Sequence, residues 1–229
     1  MKEASEQFTR ETGVKFGAIE ITSSGKGIEA VIQGKAKLAG ASRPLSDAEM
    51  GQNVYYQIFA YDAIAVFVNQ KNPVNNLSQK QIQDIFTGKI RNWKEVGGQD
   101  AAINCYTGMM ALKKGTVLEF QQMALDGKDY LVEKKEMENT HDQAAAIASD
   151  VNGITAVSLS FSLPGIKAVS VNQVFPISEH VRSGAYLFSR PLLLVALGPP
   201  EGDVKMFFNF ILSSNGQKIV GKKFVPLNE

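Results

Sequence analysis

The sequence holds a single cysteine, Cys105, and two histidines, His141 and His180, in 229 residues. One cysteine excludes an intrachain disulfide, and two distant histidines in polar company offer no metal site. Cys105 lies in the apolar run AINCYT, where a buried, inert thiol is expected. No stretch approaches the ~20 apolar residues that cross a bilayer. The opening Met1-Lys2-Glu3-Ala4-Ser5-Glu6 also lacks the apolar core of a secretion leader. Charge of one sign is scarce: 24 Lys and Arg stand against 23 Asp and Glu, a net +1. That argues against nucleic acid or an anionic membrane as partner, since both need an extended basic face. There is no nucleophile–base pair and no carboxylate pair at useful spacing, so neither an enzyme nor a cofactor is expected. Any charge-based function must be local.

What the chain has is alternation. Residues 2–12 read as helix ending at Gly13, and residues 14–21 as strand. Ser46 with Glu49, Ser78 with Gln81, and Thr116 with Glu119 have capping-box spacing, each opening a helix. Residues 55–60 and 63–68 read as two strands separated by Tyr61-Asp62, and Trp93 as the anchor of the Gly97-Gly98 turn. Later come an alanine-rich helix over 142–149, a buried strand over 154–160, a short helix over 178–183 and an apolar run over 186–198 interrupted by Pro191. Strands and helices alternate throughout, so the expected class is α/β.

Residues 21–45, ITSSGKGIEAVIQGKAKLAGASRPL, carry the functional signal. The loop Thr22-Ser23-Ser24-Gly25-Lys26-Gly27 runs into a helix whose Ile28, Val31 and Ile32 share one face. A helix start presents unpaired N–H groups at the positive end of its dipole. Ser23, Ser24, Gly25 and Lys26 at that start are suited to holding an oxyanion. A second loop with Ser42 and Arg43 follows the apolar run 38–41, at the end of a strand, where open α/β sheets place their ligands. A third loop, containing Lys113, Lys114, Gly115 and Thr116, feeds another helix. Two readings of it stand: a ligand loop, or a capped helix beside a solvated charge pair.

The segments SSGKGIEAVIQGKAKLAGASRPLSDAE, YDAIAVFVNQKNPVNNLSQKQIQDIFTGKIRNWKEVGG, KKGTVLEF, GITAVSLSF, SGAYLFSRPLLL and FILSSNGQKIVGKKFVPL resemble, in order and spacing, the substrate-binding proteins of phosphate ABC transporters. The resemblance implies a two-lobed type II periplasmic-binding-protein fold with a hinge of two crossing segments. Lobe one would comprise residues 1–65 and 183–229, and lobe two residues 66–182. A small oxyanion, phosphate by family default, would be held in the interlobe cleft by Ser23, Ser24, Gly25, Lys26, Ser42, Arg43, Lys114, Gly115 and Thr116. The implied partner is a membrane permease, and the implied location periplasmic or extracellular and membrane-anchored, with the leader absent from this chain.

The departures from the family pattern are specific. The family's lobe-two loop reads Arg, three residues, Ser-Gly-Thr; here Met110 and Lys114 stand at the Arg and Ser positions. A lysine does not reproduce a bidentate guanidinium. Arg43 stands where some members place an Asp. The family's first strand and its Gly-Ser/Thr loop are also missing, so a strand borrowed from another chain, giving a homo-oligomer, is one expected repair. The alternative function is a relative with lost or altered ligand, acting as an envelope sensor or interaction module.

Overall fold

Local signals set most of the helix starts in the computed structural model, which describes residues 2–20, 22–112 and 115–228. α1 (Lys2–Thr12) turns Ala4 and Phe8, one turn apart, inward. α2 (Ser24–Ile32) is capped by Ser23, whose hydroxyl accepts the Lys26 N–H, and it buries Ile28 and Val31. β1 (Ala39–Ala41) leads to α3 (Asp47–Met50), where both bonds of the Ser46–Glu49 capping box form. β2 (Val54–Asn69) and β3 (Asn76–Leu77) precede α4 (Gln79–Phe86), opened by the complete Ser78–Gln81 box. Trp93 is buried at the start of the 3-10 turn Trp93–Val96, as its anchoring role requires. Then follow β4 (Asn104–Gly108), α5 (Gly115–Leu125), β5 (Lys135–Met137), α6 (Thr140–Ser149), β6 (Gly153–Ser158), β7 (Ile166–Ala168) and β8 (Ser170–Val171). The last elements are α7 (Ser178–Arg182), β9 (Ser189–Leu197), α8 (Gly202–Leu212), α9 (Ser214–Val220) and β10 (Val225–Pro226).

The chain divides into two units, Met1–Asp62 with Arg190–Glu229, and Ala63–Ser189. In the first, β9 pairs antiparallel with β1, placing Leu193 opposite Ala41, and is hydrogen-bonded to β2 on its other side. β10 pairs antiparallel with β2 at Tyr61 and Ala60. Successive residues of a strand face opposite ways, and β9 uses both faces. Leu192, Leu194 and Ala196 join Phe8, Phe207, Phe208 and Ile211 in one cluster, while Leu193 and Val195 join Ile28 and Val31 in another. The first cluster buries α1 and α8; the second seats α2. Gly27 faces β1, where an added Cβ would lie in contact with the Ala39 Cβ at 3.4 Å.

In the second unit, β2 from Ala63 onward pairs antiparallel with β6, Ala65 opposite Val157, and with β7. β4 lies parallel to both β6 and β5. Parallel neighbours need crossover connections, and α5 and α6 supply them in sequence. Phe67, Tyr106, Ala144, Ile147 and Val157 form a core of this unit.

Three expectations are corrected. Residues 61–62 do not break a strand: β2 runs unbroken for 16 residues. Asp62 is tolerated inside it because Arg190 Nε and Nη2 donate to its Oδ2 at 3.1 and 2.8 Å, with the two residues only 2% and 6% exposed. Residues 14–20 form no strand. Val14 and Phe16 pack on the first cluster, Phe16 edge-on to Phe207 at 4.9 Å, so side-chain burial holds the segment without a ladder. Finally, α5 begins at Gly115, which puts Thr116 inside the first turn rather than at its cap.

Candidate functional site

In the first unit the two loops meet. Ser24 is the first residue of α2, and its Oγ accepts the Ser42 N–H at 3.1 Å and lies 3.4 Å from the Ser42 Oγ. The Ser24 and Ser42 hydroxyls share one hydrogen in their mutual contact, which leaves one of the pair, and the Ser23 hydroxyl, with a hydrogen to donate. The first intrahelical bond of α2 is Gly27 N–H to Ser23 C=O, 3.0 Å. The amides of Ser24 and Gly25 precede it, at the positive end of the helix. The sequence folds this way because Ser23, in extended conformation, ends the approach and caps the turn, while Ile28 and Val31 bury α2 against β1 and β9.

Arg43 joins the same corner. A Cβ on Gly25 would lie 3.6 Å from its Nη2. The guanidinium forks onto Glu49, Nη1 to Oε2 at 2.8 Å and Nη2 to Oε1 at 2.7 Å, with the two side chains 27% and 16% exposed. That bond and the Ser46 N–H hold the Glu49 carboxyl down at about 2, against the upward push of burial. Ser24, Gly25, Ser42 and Arg43 are thus brought together, with Ser23 and an exposed Lys26 in the same helix turn. Glu49 was legible as a capping residue; its hold on Arg43 was not, although a carboxylate six residues after an arginine across a tight turn is a pattern that could have pointed there.

In the second unit, Gly115 and Thr116 occupy the first turn of α5. Lys114 lies outside the described residues. Met110, at the position where the family pattern has Arg, donates its N–H to Glu136 Oε1 at 3.3 Å, and Glu136 also pairs with Lys134 at 3.5 Å. A carboxylate of β5 therefore stands against this loop. Cys105 is buried and its thiol is pushed up to about 12, so it is inert.

A groove of about 460 Å³ elsewhere in the first unit is lined by Ser5, Glu6, Thr9, Arg10, Lys15 and Phe16. It is the open side of the unladdered segment, with charges of both signs and none of the residues above. Among the described residues there is no cluster suited to a metal ion, and no helix is long and apolar enough to cross a membrane.

Comparison with known proteins gives a consistent result. A family model described as a PBP superfamily domain matches residues 1–215. The phosphate-binding protein PstS of Borreliella burgdorferi is 29% identical over 86% of this chain and 74% of its own length. A solved Clostridium perfringens structure, described as a candidate phosphate ABC transporter substrate-binding protein with bound phosphate, is 30% identical. It covers 99% of this chain and 94% of its own, with a TM-score of 0.84. An ABC-type phosphate transport receptor from Vibrio cholerae superposes with a TM-score of 0.87 at 24% identity, covering 97% and 93% of the two chains, which bears on the fold. The α/β fold, the Ser24–Ser42 corner at a helix start and these matches agree: the chain belongs to the PBP superfamily, within the family of phosphate ABC transporter substrate-binding proteins.

Proposed function

We propose that the chain is an extracytoplasmic binding protein that takes a small oxyanion, phosphate first, and delivers it to the membrane permease of an ABC transporter without chemical change. The observation that carries this reading is the convergence of Ser24 and Ser42 on the open first turn of α2, backed by Arg43. An oxyanion there accepts the Ser24 and Gly25 amides, the Ser23 hydroxyl and one hydroxyl of the Ser24–Ser42 pair. Lys26 adds charge. Gly115, Thr116 and Lys114 are the donors we assign to the second unit, with Lys114 replacing by point charge what the family's arginine does by geometry. Named relatives that bind phosphate, one of them solved with it, support phosphate as the first ligand to try. A homo-oligomer is a further expectation that sedimentation reads directly.

Calorimetry with phosphate, sulfate, arsenate and molybdate tests the proposal. It predicts micromolar or tighter binding of at least one; heat from none overturns it. Glu136 of β5, which accepts the Met110 N–H, favours a second reading, a relative with altered ligand that acts as an envelope sensor. Met110→Arg separates the two. Tighter phosphate binding supports the transporter reading, and no change supports the sensor.

A further inference from the structure

Glu49 does more than cap a helix. Its Oε2 accepts the Ser46 N–H at 2.8 Å, which is all a capping box needs of it. Both of its oxygens also take Arg43, and Arg43 Nη1 donates in addition to the Pro44 C=O at 2.8 Å. Glu49 and Pro44 thus orient the guanidinium, with Nη2 beside Gly25 in the first turn of α2. A planar fork held bidentately keeps its direction, where a single contact would let it swing. The carboxylate that holds it also carries the opposite charge, within 3 Å of the same nitrogens. An arginine so paired presents N–H dipoles to a neighbouring anion but little net charge.

We propose that Glu49 is a positioning residue that sets the charge preference of the oxyanion site: it fixes Arg43 as an oriented donor and cancels its charge, so that mono- and dianionic forms of one oxyanion bind with similar affinity. The proposal rests on the oxyanion reading above and adds to it the term that decides which ionisation state is favoured. The other charged side chains in the first turns of the two helices, Lys26 and Asp47, are constant in every comparison that follows. Glu49 is ionised throughout the neutral range, so its own titration adds nothing to a change of affinity there.

The test is calorimetric titration of inorganic phosphate below and above its second ionisation, in the wild type, Glu49→Gln, Arg43→Gln, the double variant and Ser46→Ala. In Glu49→Gln the charge of Arg43 is uncompensated, and affinity for the dianion relative to the monoanion rises by about tenfold, the scale of one unit charge acting at a partly wet site. Arg43→Gln leaves Glu49 uncompensated and moves the ratio the opposite way. The double variant returns the wild-type ratio. Ser46→Ala breaks the same capping box without touching charge, so it leaves the ratio alone; a purely structural role for Glu49 would make it behave like Glu49→Gln. Phosphate binding by all proteins with an unchanged ratio in Glu49→Gln and Arg43→Gln overturns the proposal while leaving the oxyanion reading intact. Absence of phosphate binding in every protein, wild type included, overturns the oxyanion reading and this proposal with it.

Discussion

Replacing Asp62 by Ala removes the carboxylate paired with a buried guanidinium. Arg190 is 6% exposed and Asp62 2%, and both Nε and Nη2 of Arg190 converge on one carboxylate oxygen. Breaking such a pair from one side costs roughly 3–5 kcal/mol, because the remaining charge stays buried without its carboxylate. In a chain of this size that is on the order of 10 °C in melting temperature. The counter-experiment is Asp62→Leu with Arg190→Met. Exchanging the whole pair for apolar side chains of similar volume typically costs little or stabilises, so the double variant should melt within a few degrees of the wild type. Urea unfolding, followed by circular dichroism and by Trp93 fluorescence, reads both variants and shows whether the two units lose structure together. A loss below about 1 kcal/mol for Asp62→Ala would mean that water reaches the arginine, and the buried-pair account of the unbroken β2 would fail.

Other substitutions follow from the same geometry. Because Glu49 is held at about 2 when folded and lies near its ordinary carboxylate value when unfolded, its stabilisation is present above the ordinary value and is lost as pH falls toward 2. Glu49→Gln should therefore be less stable near neutrality, with a shallower fall in acid, as melting temperature against pH will show. The Thr107 hydroxyl is buried with no hydrogen-bond partner among the described residues, so Thr107→Val should stabilise by about 1 kcal/mol in urea titration. Ser78→Ala removes the hydroxyl that accepts the Gln81 N–H at 3.1 Å and should cost about 1 kcal/mol by the same assay.

Local chemistry was legible in the sequence; pairings across the chain were not. The boxes at Ser46 and Ser78 form as read because a cap depends on residues three apart. The apolar face of α2 is likewise a short-range pattern, and Ile28 and Val31 are buried as it predicts. Tyr61-Asp62 looked like an interruption because a charged residue in a strand is costly, and the residue that removes the cost is Arg190, 128 positions later. Residues 14–21 had strand composition, but a strand also needs a hydrogen-bonded neighbour, which composition does not report; residues 14–20 pack on the core through Val14 and Phe16. In the site, the Ser-Ser-Gly loop and the Ser42 loop could be foreseen to converge, since both end at one helix–strand unit. Whether Arg43 faces a ligand as a free charge or as half of an ion pair depends on the turn between 43 and 49, and only the folded turn reveals it.

The central claim is that amides at the start of α2 grip an anion. Amide NMR of the labelled protein, titrated with phosphate, tests it at the atoms concerned. The account predicts that the Ser24 and Gly25 amide resonances are among those that shift most and that their hydrogen exchange slows. Phosphate binding that leaves both amides unmoved would place the anion elsewhere and contradict it.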